Sequence, residues 1–177
     1  MPKLTAEEVD AFLAEPGHLL RIATVDADGM PRNVPIWYIV HDGRIVFTPR
    51  DRSAFFANVV RDPRVGLTID DDAIPYRKVS IQGRAELLRA PGEDDAWREL
   101  YRDIAARYIP RHEADAYVDG TIDQPRALLG VSLDPERSKI LTWRMPVHGE
   151  DPSGIWHHRY YHDGTAMARR AGNRTQP

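Results

Sequence analysis

Apolar and polar residues alternate most regularly between Arg77 and Leu88. Val79, Ile81, Gly83, Ala85 and Leu87 fall on one side, with Lys78, Ser80, Gln82, Arg84 and Glu86 on the other. A period of two over that length predicts a long antiparallel strand with one wet face. The same period marks His18 to Asp26, where Leu20, Ile22 and Thr24 alternate with Arg21, Ala23 and Val25. Arg32 to Val40 reads as a second strand, with Val34, Ile36, Tyr38 and Val40 on one face. Pro35 inside it demands an edge, a bulge or a non-strand neighbour. Arg44 to Thr48 and Arg64 to Ile69 are further strands, and Ala127 to Leu133 and Lys139 to Arg144 are the last pair. Turn signals sit between the early strands: Ala27-Asp28-Gly29 and Asp42-Gly43. Asp134 to Arg137 joins the last two strands, and the acidic run Asp70-Asp71-Asp72 precedes the long one.

Helical spacing appears in four places. Thr5-Ala6-Glu7-Glu8 has the form of a capping box, and the helix it opens should bury Val9, Phe12 and Leu13 before stopping at Pro16-Gly17. Arg52 to Arg61 carries Phe55, Phe56, Val59 and Val60 as an apolar stripe. Pro91 to Tyr108 is predicted as one helix burying Trp97, Leu100, Tyr101, Ile104 and Tyr108, and Glu113 to Val118 as a further turn or two. The result is a mainly β chain with flanking helices. Six or seven antiparallel strands with short turns make a small closed or partly split barrel. One domain is expected over residues 1–168. A C-terminal arm starts near 145, and residues 169–177 form a disordered tail.

Composition narrows the function classes. Hydrophobic residues are 42% and charged residues 29% of 177, an ordinary globular balance. There is no cysteine, which excludes disulfides, thiolate metal sites and a cysteine nucleophile. A net charge of −3 argues against general nucleic-acid binding. No apolar run approaches the roughly 20 residues needed to span a bilayer, and the first residues lack a signal-peptide core, so a cytoplasmic protein without membrane contact is expected. His158 and His162 have the i, i+4 spacing of a helical metal pair, but no third ligand accompanies them, and no metal is expected. No GxSxG elbow, Walker A loop, GxGxxG or HExxH is present. No residue is singled out as a catalytic acid or base. Any chemistry therefore falls to a bound cofactor.

An ordered series of segments carries a family resemblance. Arg21-Ile22-Ala23-Thr24-Val25-Asp26, Gly29-Met30-Pro31 and Pro35-Ile36-Trp37-Tyr38 come first. Phe47-Thr48, Ser53 and Asn58-Val59-Val60-Arg61-Asp62-Pro63-Arg64-Val65 follow. The strand Arg77 to Leu87, with its Gly-x-Ala step, completes the series. Over about these 70 residues the chain resembles the pyridoxamine 5'-phosphate oxidase-like split β-barrels of the FMN-binding type. The resemblance implies a homodimer with two cofactor sites between subunits. It places the phosphate near the junction of the third strand and the following helix, and the isoalloxazine along the second strand. Some members of the family take the deazaflavin F420 instead of FMN, and a few bind haem.

The residues agree in part. Thr48, Arg50, Arg52 and Ser53 offer hydroxyls and guanidinium groups just before a helix N-terminus, where anions are favoured. A polar loop with Ser53 as a plain helix cap explains them as well. Pro35, Ile36, Trp37 and Tyr38 are the candidate ring contacts, with core packing the alternative for Trp37 and Tyr38. Lys78 and Gln82 could reach the cofactor's pyrimidine edge or phosphate, and an ordinary wet sheet face accounts for them too. Trp143 is a candidate wall from the partner subunit, with burial as its alternative. One departure stands out. Family members carry a basic residue one or two positions after the serine, and this chain has Ala54 and Phe55. The lost charge-assisted bond costs on the order of 1.5–3 kcal/mol unless Arg50, Arg52 or Lys78 replaces it. If Arg50, Arg52, Arg77 and Lys78 shared one rim, the acidic tail of F420 would be favoured. His157, His158 and His162, with Trp156, Tyr160 and Tyr161, suggest an arm over the partner's site that selects substrates. The expected function is a flavin-type oxidoreductase acting on a small organic substrate. The alternative is a non-catalytic flavin or haem carrier.

Overall fold

A computed structural model describes residues 2–150 and 164–172. The chain opens with α1 (Ala6–Ala14), capped as its sequence demands. The Thr5 amide donates to the Glu8 carboxylate at 2.7 Å, and the Glu8 amide donates to Thr5 Oγ1 at 3.2 Å. β1 (Leu20–Val25) and β2 (Pro31–Ile36) form a hairpin, then β3 (Ile39–His41) and β4 (Arg44–Phe47) form a second. The second turn places both Asp42 (φ 48°) and Gly43 (φ 67°) in the left-handed region, the backbone a two-residue hairpin needs. Next come α2 (Ala54–Arg61), β5 (Arg64–Asp70) and the 13-residue β6 (Arg77–Arg89). A one-turn 3-10 helix (Asp94–Trp97), α3 (Arg98–Ala106), α4 (Arg111–Asp119), β7 (Leu128–Ser132) and β8 (Lys139–Arg144) follow. α5 (Ala166–Gly172) lies within the described C-terminal part, so residues 169–172, expected to be disordered, are helical.

The strands form one curled antiparallel sheet in the order β2-β1-β5-β6-β7-β4-β3, with β8 added beside β6. This is a split barrel with flanking helices, of eight strands rather than six or seven. β6 binds the halves together: Lys78–Arg84 pairs with β5, Arg77–Gln82 with β8, and Ala85–Arg89 with β7. β7 and β8, though joined by a short connection, do not pair with each other: each takes β6 as its antiparallel partner. A register shift between Leu87 and Arg89 turns the strand over. Val79, Ile81 and Ala85 are buried as the alternation predicts, but Leu87 is exposed and Leu88 turns inward instead.

Two apolar clusters result. The barrel interior holds Phe12, Leu20, Ile22, Tyr38, Ile45, Phe47, Leu67, Ile81 and Val131. A second cluster lies under the helices and gathers Val46, Trp97, Tyr101, Ile104, Val118 and Leu128, with Trp37 at its margin. β4 serves both, Ile45 and Phe47 on one face and Val46 on the other. The helix expected from Pro91 to Tyr108 is broken at Trp97, whose φ of −135° is not helical. The expected second strand also breaks. Trp37 and Tyr38 leave the ladder because the Tyr38 amide donates to Tyr108 Oη at 3.1 Å instead of to a strand. No helix among the described residues is long and apolar enough to cross a membrane.

Candidate functional site

The site begins where β4 runs out. The last rung between β3 and β4 is Ile39 opposite Val46, so Trp37 and Thr48 each stand two residues beyond it. From Thr48 the chain turns through Pro49 to Asp51. There Arg50 makes an isolated bridge to Arg126, and the Asp51 amide donates to the Pro125 carbonyl at 2.9 Å. The Ser53 amide donates to the Arg50 carbonyl at 3.0 Å, closing a tight turn into α2.

Ser53 stands at the N-cap position of α2, yet its side chain caps nothing. Its Oγ is buried and has no hydrogen-bond partner among the described residues. The first amides of a helix also lack intrahelical acceptors. A hydroxyl and free N–H groups therefore face the same short turn. Arg50 and Arg52 flank it, both exposed. Neither has a carboxylate within ion-pair distance among the described residues, whereas Arg21, Arg64, Arg111 and Arg144 do. The loop thus offers two guanidinium groups and a hydroxyl, the kind of donor set a phosphate monoester requires, with exposed Asp51 between the two arginines but not ion-paired to either.

The other candidates are distributed around it. Pro35 is exposed and Ile36 half-buried at the end of β2, the edge position that tolerates proline. Trp37 is half-buried and already engaged. It stacks on Tyr108 with centroids 5.2 Å apart and planes 6° from parallel, and meets the edge of Tyr117 at 5.5 Å. Tyr38 corrects an expectation. Its side chain is fully buried in the barrel and donates through Oη to the Leu13 carbonyl at 3.1 Å, so it offers no surface to a ring. Burial pushes its hydroxyl up to about 12. Lys78 and Gln82 are exposed on β6. Trp143 sits opposite Lys78 on β8, half-buried, with an indole N–H that finds no acceptor among the described residues.

Arg77 does not join a cationic rim. It donates to both oxygens of Glu15 at 2.8 and 2.7 Å and to Asp71 at 2.8 Å, so its charge is consumed locally. Glu15, His18 and Asp71 bring ligand-type atoms within 4.8 Å of one another, but Arg77 already occupies both carboxylates. His157, His158 and His162 lie outside the described residues, as do Trp156, Tyr160 and Tyr161. An open groove of about 680 Å³, lined by Arg44, Arg89, Arg98, Asp95 and Trp97 among others, contains none of the candidates.

Sequence reasoning missed Arg126. It precedes β7, is 7% exposed, and spreads its guanidinium over the Tyr101 ring at 4.7 Å. Nothing local in Asp123-Gln124-Pro125-Arg126 marks it, since its neighbours come from the residue just after β4 and from α3 and α4.

The curled half-barrel and its flanking helices make a split β-barrel. More narrowly, residues 5–137 match the family model of pyridoxamine 5'-phosphate oxidase, and the chain belongs to that family. A 5a,11a-dehydrotetracycline/5a,11a-dehydrooxytetracycline reductase of Streptomyces rimosus is 39% identical over 110 residues, spanning 58% of this chain and 76% of the relative. A conserved hypothetical protein of Mycobacterium tuberculosis superposes with a TM-score of 0.63 at 25% identity, over 85% of this chain and 94% of that one. An FAD-binding protein of Mesorhizobium loti shares the fold, with a TM-score of 0.60 at 18% identity, over 82% and 98% of the two chains.

Proposed function

We propose that this protein is an oxidoreductase that holds a phosphorylated flavin-type cofactor and reduces a small, electron-poor organic substrate. FMN is the favoured cofactor and F420 the alternative. The observation that carries the reading is Ser53 Oγ, buried and unpartnered at the start of α2, with Arg50 and Arg52 beside it lacking carboxylates. A structural cap would have used that hydroxyl on its own helix. The reductase named among the relatives supports the reducing direction.

Thr48, Arg50, Arg52 and Ser53 would hold the phosphate. Pro35 and Ile36 would present backbone to the ring, and Lys78 and Gln82 would approach its polar edge. A cofactor of this type, held there, would supply the hydride-transfer chemistry that reduction of an electron-poor carbon needs. The chain's own task is to anchor, orient and exclude water, which needs no protein acid or base. A homodimer completes the site in this proposal, and exposed Leu87 and Leu141 on β6 and β8 supply apolar surface for a second copy.

The test compares FMN, F420 and haem by thermal shift and absorbance on the purified chain. Stabilisation by FMN or F420, with a flavin-type spectrum bleached on reduction, is the expected result. Stabilisation by haem alone, with a Soret band, would replace the proposal with a carrier. Arg52→Ala should weaken cofactor retention more than it slows hydride transfer. Unchanged retention would remove the phosphate assignment.

A further inference from the structure

Arg50 and Arg126 are directly opposite each other. The β4–β7 ladder pairs Arg44 with Ser132 and Phe47 with Leu129, and three residues further on the same register meets Arg50 and Arg126. Residues directly opposite in an antiparallel pair project to the same face, and like charges placed there repel. Arg126 is moreover buried, where an uncompensated charge is costly. The Asp94 carboxylate is spent on the Arg126 backbone amide at 2.8 Å. Among the described residues no carboxylate comes within ion-pair distance of either guanidinium, although Arg77, Arg102 and Arg111 each have two or more.

The partners Arg126 does have are neutral. It donates to the Thr48 carbonyl at 3.2 Å and to Tyr117 Oη at 3.2 Å, and lies over the Tyr101 ring. Its Nε–H is buried and unpartnered among the described residues. A guanidinium has five N–H donors, so most of its capacity is unspent. The surroundings are positive enough to act on Tyr117. Burial acts to raise its hydroxyl, but the neighbouring Tyr101 hydroxyl and the charges of Arg126 and Arg50 outweigh it and lower it.

We propose that Arg126, Arg50 and Tyr117 form an oxyanion subsite, with buried Arg126 as its floor and exposed Arg50 at its mouth, that takes a phosphoryl or carboxylate group. A bound oxyanion supplies the negative charge the rung lacks and an acceptor for the idle Nε–H. The subsite does not depend on which cofactor the protein uses. Its anion comes either from the cofactor's phosphate or acidic tail, or from a separate anionic ligand.

The experiment titrates wild-type protein, Arg126→Gln, Arg126→Lys and Arg50→Ala with inorganic phosphate, FMN, F420 and riboflavin. It reads calorimetric affinity and the shift in melting temperature from each variant's own baseline. A role confined to holding α4 against β4 lowers the baseline of Arg126→Gln and leaves the ligand response intact. The subsite requires a roughly ten- to hundredfold loss of phosphate affinity in Arg126→Gln. A smaller loss is expected in Arg50→Ala, with partial retention in Arg126→Lys. If FMN or F420 weakens in parallel while riboflavin does not change, the anion is the cofactor's. If only phosphate weakens, it belongs to another ligand. Equal phosphate and cofactor affinities in wild type and folded Arg126→Lys and Arg126→Gln would overturn the proposal, as would wild-type protein indifferent to phosphate, FMN and F420 alike. Wild-type protein that binds phosphate through Arg126 but neither FMN nor F420 would keep the subsite and sink the cofactor reading instead.

Discussion

Arg77 grips Glu15 through two hydrogen bonds of 2.8 and 2.7 Å, tying the start of β6 to the end of α1 across sixty-two residues of sequence. The hydrogen bonds from Arg77, more than those from His18, hold the Glu15 carboxyl down at about 2, against some opposition from burial. The same guanidinium lies 4.6 Å from the Phe12 ring centroid.

Arg77→Ala should lower stability by about 1–2 kcal/mol after allowing for the partial exposure of the pair. The sign with pH follows from the depressed carboxyl. Glu15 contributes stability fully above its unfolded value near 4.5, and that contribution disappears as pH falls toward 2. Urea unfolding at pH 7 and pH 3 should show the gap between wild type and variant narrowing at the lower pH. An unchanged gap would mean that Arg77 acts through packing on Phe12 alone.

Asn58 is a polar residue on the buried side of α2. Its amide donates to Thr24 Oγ1 at 3.1 Å and to Asp26 Oδ1 at 2.6 Å. Asp26 is held at about 2, first by Arg32 and then by Asn58. Asn58→Leu should cost about 2 kcal/mol, since it strands the Thr24 hydroxyl in an apolar setting. The Asp26 pKa, followed by NMR titration, should rise in the same variant.

Gly83 stands where β6 passes between β5 and the β7–β8 connection. A Cβ there would lie 2.7 Å from Ser138 Oγ and 2.9 Å from Val131 Cγ1, both buried. Gly83→Ala should destabilise by roughly 1–3 kcal/mol through overpacking. Chemical denaturation of Gly83→Ala beside Gly66→Ala, whose added Cβ meets its nearest neighbour at a comfortable 3.6 Å, separates crowding from general loss of glycine.

Trp37 is held by Tyr108 on one face and by the Tyr117 edge. Trp37→Phe keeps an aromatic ring in that slot and should cost about 1 kcal/mol. Cofactor affinity should stay within about twofold of wild type if packing is the main duty of the side chain. A tenfold loss in calorimetry would instead make the indole a ring contact.

Much of the fold is written locally. The Thr5–Glu8 capping box, the Asp42-Gly43 turn and the alternation of β6 need only neighbours a few residues away. What escaped depends on distant partners. The break at Trp37–Tyr38 is made by Tyr108, seventy residues on, taking the Tyr38 amide. The failure of β7 and β8 to pair reflects the two lengths of β6 competing for them. Arg50, Arg52 and Ser53 were legible as anion donors because they are contiguous. Arg126 was invisible because its significance comes from a rung with Arg50 and from aromatic neighbours on two helices. Arg77 illustrates the opposite error, since a charge that looks available in sequence is neutralised by Asp71 close by and by Glu15 sixty-two residues away.

Because β6 hydrogen-bonds to β5, β7 and β8, neither half of the sheet can open without surrendering bonds to that strand. Amides from Val79 to Ala85 should therefore be the last to exchange with deuterium, at a rate set by global unfolding. Those of β2 and β3, at the two free ends of the strand order, should exchange through local fraying. The protein is then expected to melt in one step, with its seam as the slowest clock in the molecule.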